Sequence, residues 1–302
     1  MANGLYSLDI RLRPERPAVL PATCGHQAHA AFLEAIRKYA PDLADLLHTP
    51  RRRPRPFTVS PLLGMAGRRE GEFAVSPERD YSLRVTLLDE RLYVELMGRF
   101  LEEGRPALRL GEVTFLLAQV LVSPGSSPWA GYTNWEALAA AGADSSVTLE
   151  FLTPTAFHLG QRPWGKRFHL FPEPLLVFRS LLRAWNGLCP ASLAMEPASL
   201  EAYLKEDVIV QEMAGLRTVM WRYPRHLQIG FVGRVTYGFP GDERSLQQRL
   251  CALADFAFYA GVGYKTTMGM GQTRRVPECS RRAASAGRKR GGKARSGQQL
   301  LC

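Results

Sequence analysis

Leu227–Phe239, Asp242–Tyr259, Gly261-Val262-Gly263-Tyr264-Lys265-Thr266-Thr267-Met268-Gly269-Met270-Gly271 and Gln272–Val276 follow one another near the C-terminus. They read as an alternating strand, a long helix, a glycine-rich loop and a last strand. Glycine removes the Cβ, permits positive φ and lets backbone N–H groups approach a phosphate closely. Two nucleotide motifs fail here. A P-loop needs Gly directly before Lys265-Thr266, where Tyr264 stands, and it follows a strand, not a helix. A dinucleotide fingerprint starting at Gly261 needs Gly where Thr266 stands. The bland alternative is a turn that only joins helix to strand.

Working back from this loop, Thr218–Tyr223 and Leu227–Phe239 flank a turn at Pro224, and a short helix lies near 197–206. Glu173–Trp185 is helical, with Leu176, Leu181, Leu182 and Trp185 apolar, and Val147–Leu152 is a strand. The order is β-α-β-β-α-β. The N-terminal part gives the same order. A strand at 5–13 alternates Tyr6, Leu8, Ile10 and Leu12 with polar residues, and a helix at 26–39 carries Phe32, Ile36 and Tyr39. Pro41 opens a second short helix, Asp42–His48. Strands at Phe57–Leu63 and Tyr81–Leu88, a helix from Asp89 to about Leu101, and strands at Ala107–Leu110 and Val113–Val122 complete it. The expected fold class is α+β: two tandem ferredoxin-like (βαββαβ) domains with a C-terminal glycine-rich loop. The expected division is 1–124, a Ser/Pro/Gly/Ala-rich linker at 125–146, a second domain at 147–277, and a disordered basic tail at 278–302.

Of the net charge of +11, the segment 280–302 supplies seven Lys/Arg and no acid, leaving +4 for the remainder. The body is moderately basic, with arginines gathered at Arg51-Arg52-Arg53-Pro54-Arg55 and Arg68-Arg69, a pattern suited to phosphate. No apolar run spans a bilayer, so no membrane partner is expected. Five scattered cysteines without a Cys-x-x-Cys pair point to a reducing cytoplasm and to neither a disulfide framework nor a zinc site. No metal and no cofactor are expected.

Gly-hydrophobic-Gly, five residues, Gly-hydrophobic-Gly near the C-terminus resembles the signature loop of the CRISPR-associated repeat-processing endoribonucleases, the Cas-six family. Further stretches are similar to that family: Leu46-Leu47-His48, Pro56–Gly64, Leu152–Phe157 and Pro172–Asn186. The resemblance runs from about residue 5 to 276. It implies a prokaryotic enzyme that cleaves CRISPR precursor transcripts within the repeat, without metal. A ribose 2′-hydroxyl attacks the adjacent phosphate, leaving 2′,3′-cyclic phosphate and 5′-hydroxyl ends. CRISPR repeat RNA is the implied partner, with other Cas proteins of an effector complex as further partners. The chain is expected to be a monomer or homodimer. The alternative is a non-catalytic RNA-binding subunit of such a complex.

That reaction needs a base, an acid and positive charge on the phosphorane. Histidine, with an unperturbed pKa of about 6.5, suits both proton tasks. His48, before the arginine run, is where the family places its catalytic histidine. Archaeal members add a tyrosine on the first helix and a lysine after the histidine. Here those stretches hold Phe32-Leu33-Glu34 and Arg51–Arg55, so neither group carries over. The catalytic candidates are therefore His48 with Arg51 or Arg53 as phosphorane charge, and His29 as the alternative partner. His29 shares a helical face with Phe32, Leu33 and Ile36, so a packed core-edge role competes. His26 is a further candidate, while His158, His169 and His226 read as structural or minor RNA contacts. The expected RNA-binding residues are Gly261, Gly263, Lys265, Thr266, Thr267, Gly269, Gly271, Arg274, Arg52, Arg55, Arg179 and Arg183. Tyr264 could stack on an unpaired base.

Truncation after Val276 should weaken RNA affinity modestly and flatten its salt dependence, because the tail carries charge without shape. The cleavage position should not move. Filter binding across a salt series checks this, and a shifted cut would put the tail in the site.

Overall fold

The computed structural model describes residues 3–21, 23–39, 41, 47, 54–64, 72–102, 106–223 and 226–276. His48, Arg51, Arg52 and Arg53, most of the expected helix Asp42–His48, Arg68-Arg69 and the basic tail lie outside the described residues.

In the first half the order is β1 (Gly4–Pro14), β2 (Ala18–Pro21), α1 (Gly25–Tyr39), β3 (Phe57–Leu63), β4 (Glu72–Val75), β5 (Tyr81–Leu87), α2 (Glu90–Glu102), β6 (Ala107–Leu110) and β7 (Val113–Leu121). A strand β8 (Gly131–Asn134) and a helix α3 (Trp135–Ala139) follow. The second half holds β9 (Ser146–Thr155), β10 (Phe157–Arg162), β11 (Gly165–His169), α4 (Pro174–Leu188) and α5 (Pro197–Glu206). It ends with β12 (Ile209–Tyr223), β13 (His226–Gly238), α6 (Arg244–Ala260) and β14 (Thr273–Arg275).

The first sheet runs β3-β5-β1-β7-β6 and the second β12-β13-β9-β14, antiparallel throughout. In each sheet the unit's first strand lies between its third and its last, which is the ferredoxin-like arrangement. The tandem α+β fold expected from the element order is the fold observed. In α1 the buried residues Ala28, Ala31, Phe32, Ala35 and Ile36 form one stripe. They share one core with Leu8, Ile10 and Leu12 of β1 and with Leu83 and Val85 of β5.

Three features depart from the sequence reading. The stretch 125–146, expected as a linker, contains β8, which pairs with β1 from Gly4↔Asn134 to Ser7↔Gly131. It also contains α3, whose first turn is capped by the Asn134 side chain accepting from the Ala137 N–H at 2.7 Å. Trp135 is buried against Trp185 and Phe256, with ring centroids 5.1 and 5.2 Å apart. A four-residue strand and a five-residue helix are too short to show periodicity, and the helix is anchored by Trp135 and Leu138. The pairs β2–β4 and β10–β11 were likewise not expected, since short hairpins carry little alternation.

The other face of the first sheet is polar and nevertheless buried. Ser7 and Asp9 of β1, Thr58 and Ser60 of β3, and Arg84 and Thr86 of β5 are at most 2% exposed. The C-terminal end of α6 lies on this face. A helix end leaves carbonyls without intrahelical partners, and here the first half supplies donors. The Arg84 guanidinium donates to the Phe258 carbonyl, and the Thr86 hydroxyl donates to the Tyr259 carbonyl at 2.7 Å. Arg84 also donates to Ser7 Oγ at 2.9 Å and to Gln272 Oε1 at 2.5 Å. Burial brings the Arg84 pKa down to about 9, which still leaves it cationic at neutrality.

Trp135→Ala should lower the unfolding free energy by about 3–5 kcal/mol, the usual range for truncating a buried tryptophan. Urea denaturation followed by circular dichroism checks this. A loss below about 0.5 kcal/mol would return 125–146 to a linker.

Candidate functional site

Between the two halves lies a cleft of about 1140 Å³. Pro54, Arg55 and Leu88 form its wall on the first half, and α4, β10 and the loop after α6 form the wall on the second. The structure brings together in this cleft Arg55, Arg179, Arg183, Gly261, Gly263, Lys265, Thr266 and Thr267, all expected from sequence as RNA-binding. His158 and Tyr264 also line it.

The loop is held by hydrogen bonds within itself and to the β9–β10 segment and α4. Val262 N–H donates to the Gly271 carbonyl at 2.8 Å, Gly271 N–H to Pro154 at 3.0 Å, and Tyr264 N–H to Ala156 at 2.9 Å. Gly263 N–H donates to Ser180 Oγ of α4 at 2.9 Å. Gly271 has φ 69°, and a Cβ there would overlap the Val262 carbonyl oxygen. The amides of Gly261, Gly263 and Gly271 are thus engaged within the fold. The loop lines the cleft with Lys265, Thr266 and Thr267, the residues expected from sequence to reach phosphates. Lys265 has φ 58°, the one positive value among the described non-glycine residues. Left-handed backbone at such a residue costs on the order of 1–3 kcal/mol and concentrates at functional sites. Burial pushes the Lys265 pKa down, although the nearby Tyr264 opposes this.

The loop is also seated on the first half. Gly25, at the start of α1, packs so closely on the Met268 carbonyl that a Cβ there would overlap its oxygen. Gly269 lies against Pro61 of β3. The next residue after Gly25 is His26, which is exposed. His29 is 9% exposed, with its ring stacked at 5.9 Å on Phe57. That is the core-edge placement its helical spacing allowed.

The arginines differ in their commitments. Arg179 makes a two-pronged pair with Glu201, at 2.8 and 2.7 Å. Arg274 lies outside the cleft lining and binds Glu150, which Arg234 also binds. Burial raises the Glu150 pKa, but the two arginine hydrogen bonds outweigh it and leave a net lowering. Arg183 is exposed on the cleft wall. Arg55 donates to the Leu47 carbonyl, and Leu47 is itself in the first core. His48 is the next residue in the chain.

His158, Phe168 and Tyr264 form a ring cluster with centroids 5.2–5.6 Å apart, and Lys166 Nζ lies 3.1 Å from the Tyr264 hydroxyl. From sequence, only His169 of β11 was singled out, as structural or a minor RNA contact. The signal available was the absence of any acid across 157–169. His169 Nε2 lies 3.5 Å from Glu173, and His226 opens β13. Among the described residues no group of three or more His, Cys, Asp or Glu is arranged to hold a metal ion. No described helix is long and apolar enough to cross a membrane.

Two family profiles match this chain: CRISPR Cas6 N-terminal domain over residues 5–140, and CRISPR-associated endoribonuclease Cas6 over residues 149–273. The chain belongs to the Cas6 family. A Streptococcus thermophilus CRISPR-associated endoribonuclease Cas6 is 31% identical over 121 residues, 40% of this chain. The match spans 46% of that relative's length. A Cas6 product complex superposes with a TM-score of 0.77 at 29% identity, covering 91% of this chain and 100% of the other. Thermus thermophilus Cas6 gives 0.68 at 29% identity with the same coverage. A Cas6-related protein from Pyrococcus furiosus, at 15% identity and TM-score 0.59, shares the fold over 91% of this chain and 99% of its own.

Gly271→Ala should destabilise the protein by at least about 1–3 kcal/mol, through left-handed strain and the Val262 overlap. A thermal melt should show the loss. Hydrogen exchange should show it concentrated at residues 262–272, and a melt identical to wild type would refute this account of the loop.

Proposed function

We propose that this Cas6 protein is a metal-independent endoribonuclease that cuts CRISPR precursor transcripts within the repeat to give guide RNAs. The observation that carries the reading is the cleft between the halves of a Cas6 chain, where Arg55, Arg179, Arg183 and Lys265 converge with Tyr264 and His158. Such a cleft suits a folded or single-stranded polyanion, with cations on its phosphates and rings beside its bases.

In the proposed chemistry, a base takes the proton of the 2′-hydroxyl and the oxygen attacks the neighbouring phosphorus. An acid protonates the departing 5′-oxygen. His48 is the proton-transfer group, and Arg51 or Arg53 neutralises the phosphorane; an arginine, which stays protonated near neutrality, is a poor proton shuttle. Two findings support this placement. Arg55 lines the cleft and holds the carbonyl of Leu47, the residue before His48. His29, the alternative partner, has its ring buried on Phe57, so the exposed His26 beside the loop is the better second histidine. Repeat RNA is the partner, with other Cas proteins as further ones. The competing reading, a non-catalytic RNA-binding subunit, makes the same cleft but no cut.

His48→Ala should slow single-turnover cleavage of repeat RNA by roughly 10²–10⁴-fold, the range for a positioned acid–base group. Binding should change little. In the same time course, a 2′-deoxy sugar just upstream of the cut should abolish wild-type cleavage, and chelator should have no effect. Wild-type rates for His48→Ala would remove it from the mechanism. Cutting of the deoxy RNA, or metal-restorable loss in EDTA, would require a different class of nuclease. Binding without any cut would favour the subunit reading.

A further inference from the structure

The β10–β11 hairpin is unexplained by the cleft chemistry above. It pairs Phe157↔His169, His158↔Phe168, Gln161↔Lys166 and Arg162↔Gly165, so Pro163 and Trp164 form a two-residue tip. Trp164 is 73% exposed. An indole is among the largest apolar surfaces a protein can bury. A tight turn does not need one, since Gly165 already takes the positive φ, at 129°. The exposed residues around it are Gln161, Arg162, Pro163, Lys166 and Arg167. Across 157–169 there are three Lys/Arg, two His and no Asp or Glu.

The root of the hairpin is fixed to the cleft. The His158, Phe168 and Tyr264 rings pack together, and Lys166 Nζ reaches the Tyr264 hydroxyl at 3.1 Å. From His158 to Pro163 the strand runs five residues, at about 3.3 Å each, so the tip lies at most roughly 17 Å from the ring cluster. Trp164 is not among the residues that line the cleft, so the tip is available to a strand that runs on past Tyr264.

We infer that Trp164 is a stacking platform for an unpaired base of the bound RNA, several nucleotides from the one at Tyr264, with Arg162, Lys166 and Arg167 on the flanking phosphates. This rests on the proposed RNA substrate. The chemistry favours RNA over a protein partner. A protein hot spot surrounds its aromatic anchor with further apolar surface, whereas three of the five exposed hairpin residues beside this tryptophan are cations. An aromatic plane within a basic groove is the arrangement that holds single-stranded nucleic acid.

The experiment uses full-length protein and its repeat RNA, made uncleavable by a 2′-deoxy sugar at the cut, in filter-binding titrations. Trp164→Ala should weaken binding roughly 5- to 150-fold, the range for removing one base stack. Trp164→Phe should recover most of the loss. The slope of log affinity against log salt should stay the same for Trp164→Ala. It should flatten by about 0.7 for each of Lys166→Gln and Arg167→Gln. A scan of single abasic sites should find one position at which wild type and Trp164→Ala bind equally. Tyr132→Ala, an exposed aromatic on β8, serves as the control and should bind as wild type.

Wild-type affinity for Trp164→Ala overturns the inference while leaving the nuclease reading intact. A loss that no abasic site reproduces overturns base stacking and points to a backbone or duplex-end contact. Failure of the wild-type protein to bind repeat RNA overturns the proposed function itself.

Discussion

The arrangement of the two halves depends on one buried cation. Arg84 is 1% exposed, and its guanidinium meets Ser7, Gln272 and the Phe258 carbonyl while lying over the Phe258 ring at 4.3 Å. A buried charge is tolerated only where its donors find partners. Here those partners come from both halves, so the guanidinium can be satisfied only when the halves are docked. Thr86 works in the same direction through the Tyr259 carbonyl. The end of α6, whose last carbonyls would otherwise go unpaired, is in effect capped by the opposite half.

This contact determines where the glycine-rich loop sits. The loop leaves α6 directly after the capped turn, and Gln272, which receives Arg84, ends it. Met268 and Gly269 then lie against Gly25 and Pro61 of the first half. The loop is therefore a joint between halves as well as a cleft wall. Its glycines serve the close approach of backbone to backbone, and its Lys265, Thr266 and Thr267 side chains serve the cleft.

Cations are distributed unequally around this joint. Arg274 and Arg234 share Glu150, and Arg179 is held by Glu201. These pairs orient the guanidinium groups and reduce the net charge they offer. Arg183 on the cleft wall and Arg162, Lys166 and Arg167 of the acid-free hairpin are instead exposed, and it is there that a polyanion meets undiminished charge.

Much of the fold was legible in the sequence. Alternation in 5–13, the helical stripe of α1 and the strand–helix–loop–strand run at 227–276 each report a local period, and two βαββαβ orders follow from them. The glycine spacing and the run Arg51–Arg55 were legible for the same reason: they are contiguous. What only the tertiary structure decided is which polar residues are buried. Ser7, Asp9, Arg84 and Thr86 alternate as a solvent-facing row would, and nothing local distinguishes a face covered by water from one covered by the end of α6. The same holds for Trp135, a buried anchor of a short segment, and for the meeting of Tyr264 with Lys166 across 98 residues. A period records the geometry of one element, whereas burial and pairing are properties of two elements together, and they exist only once the chain has folded.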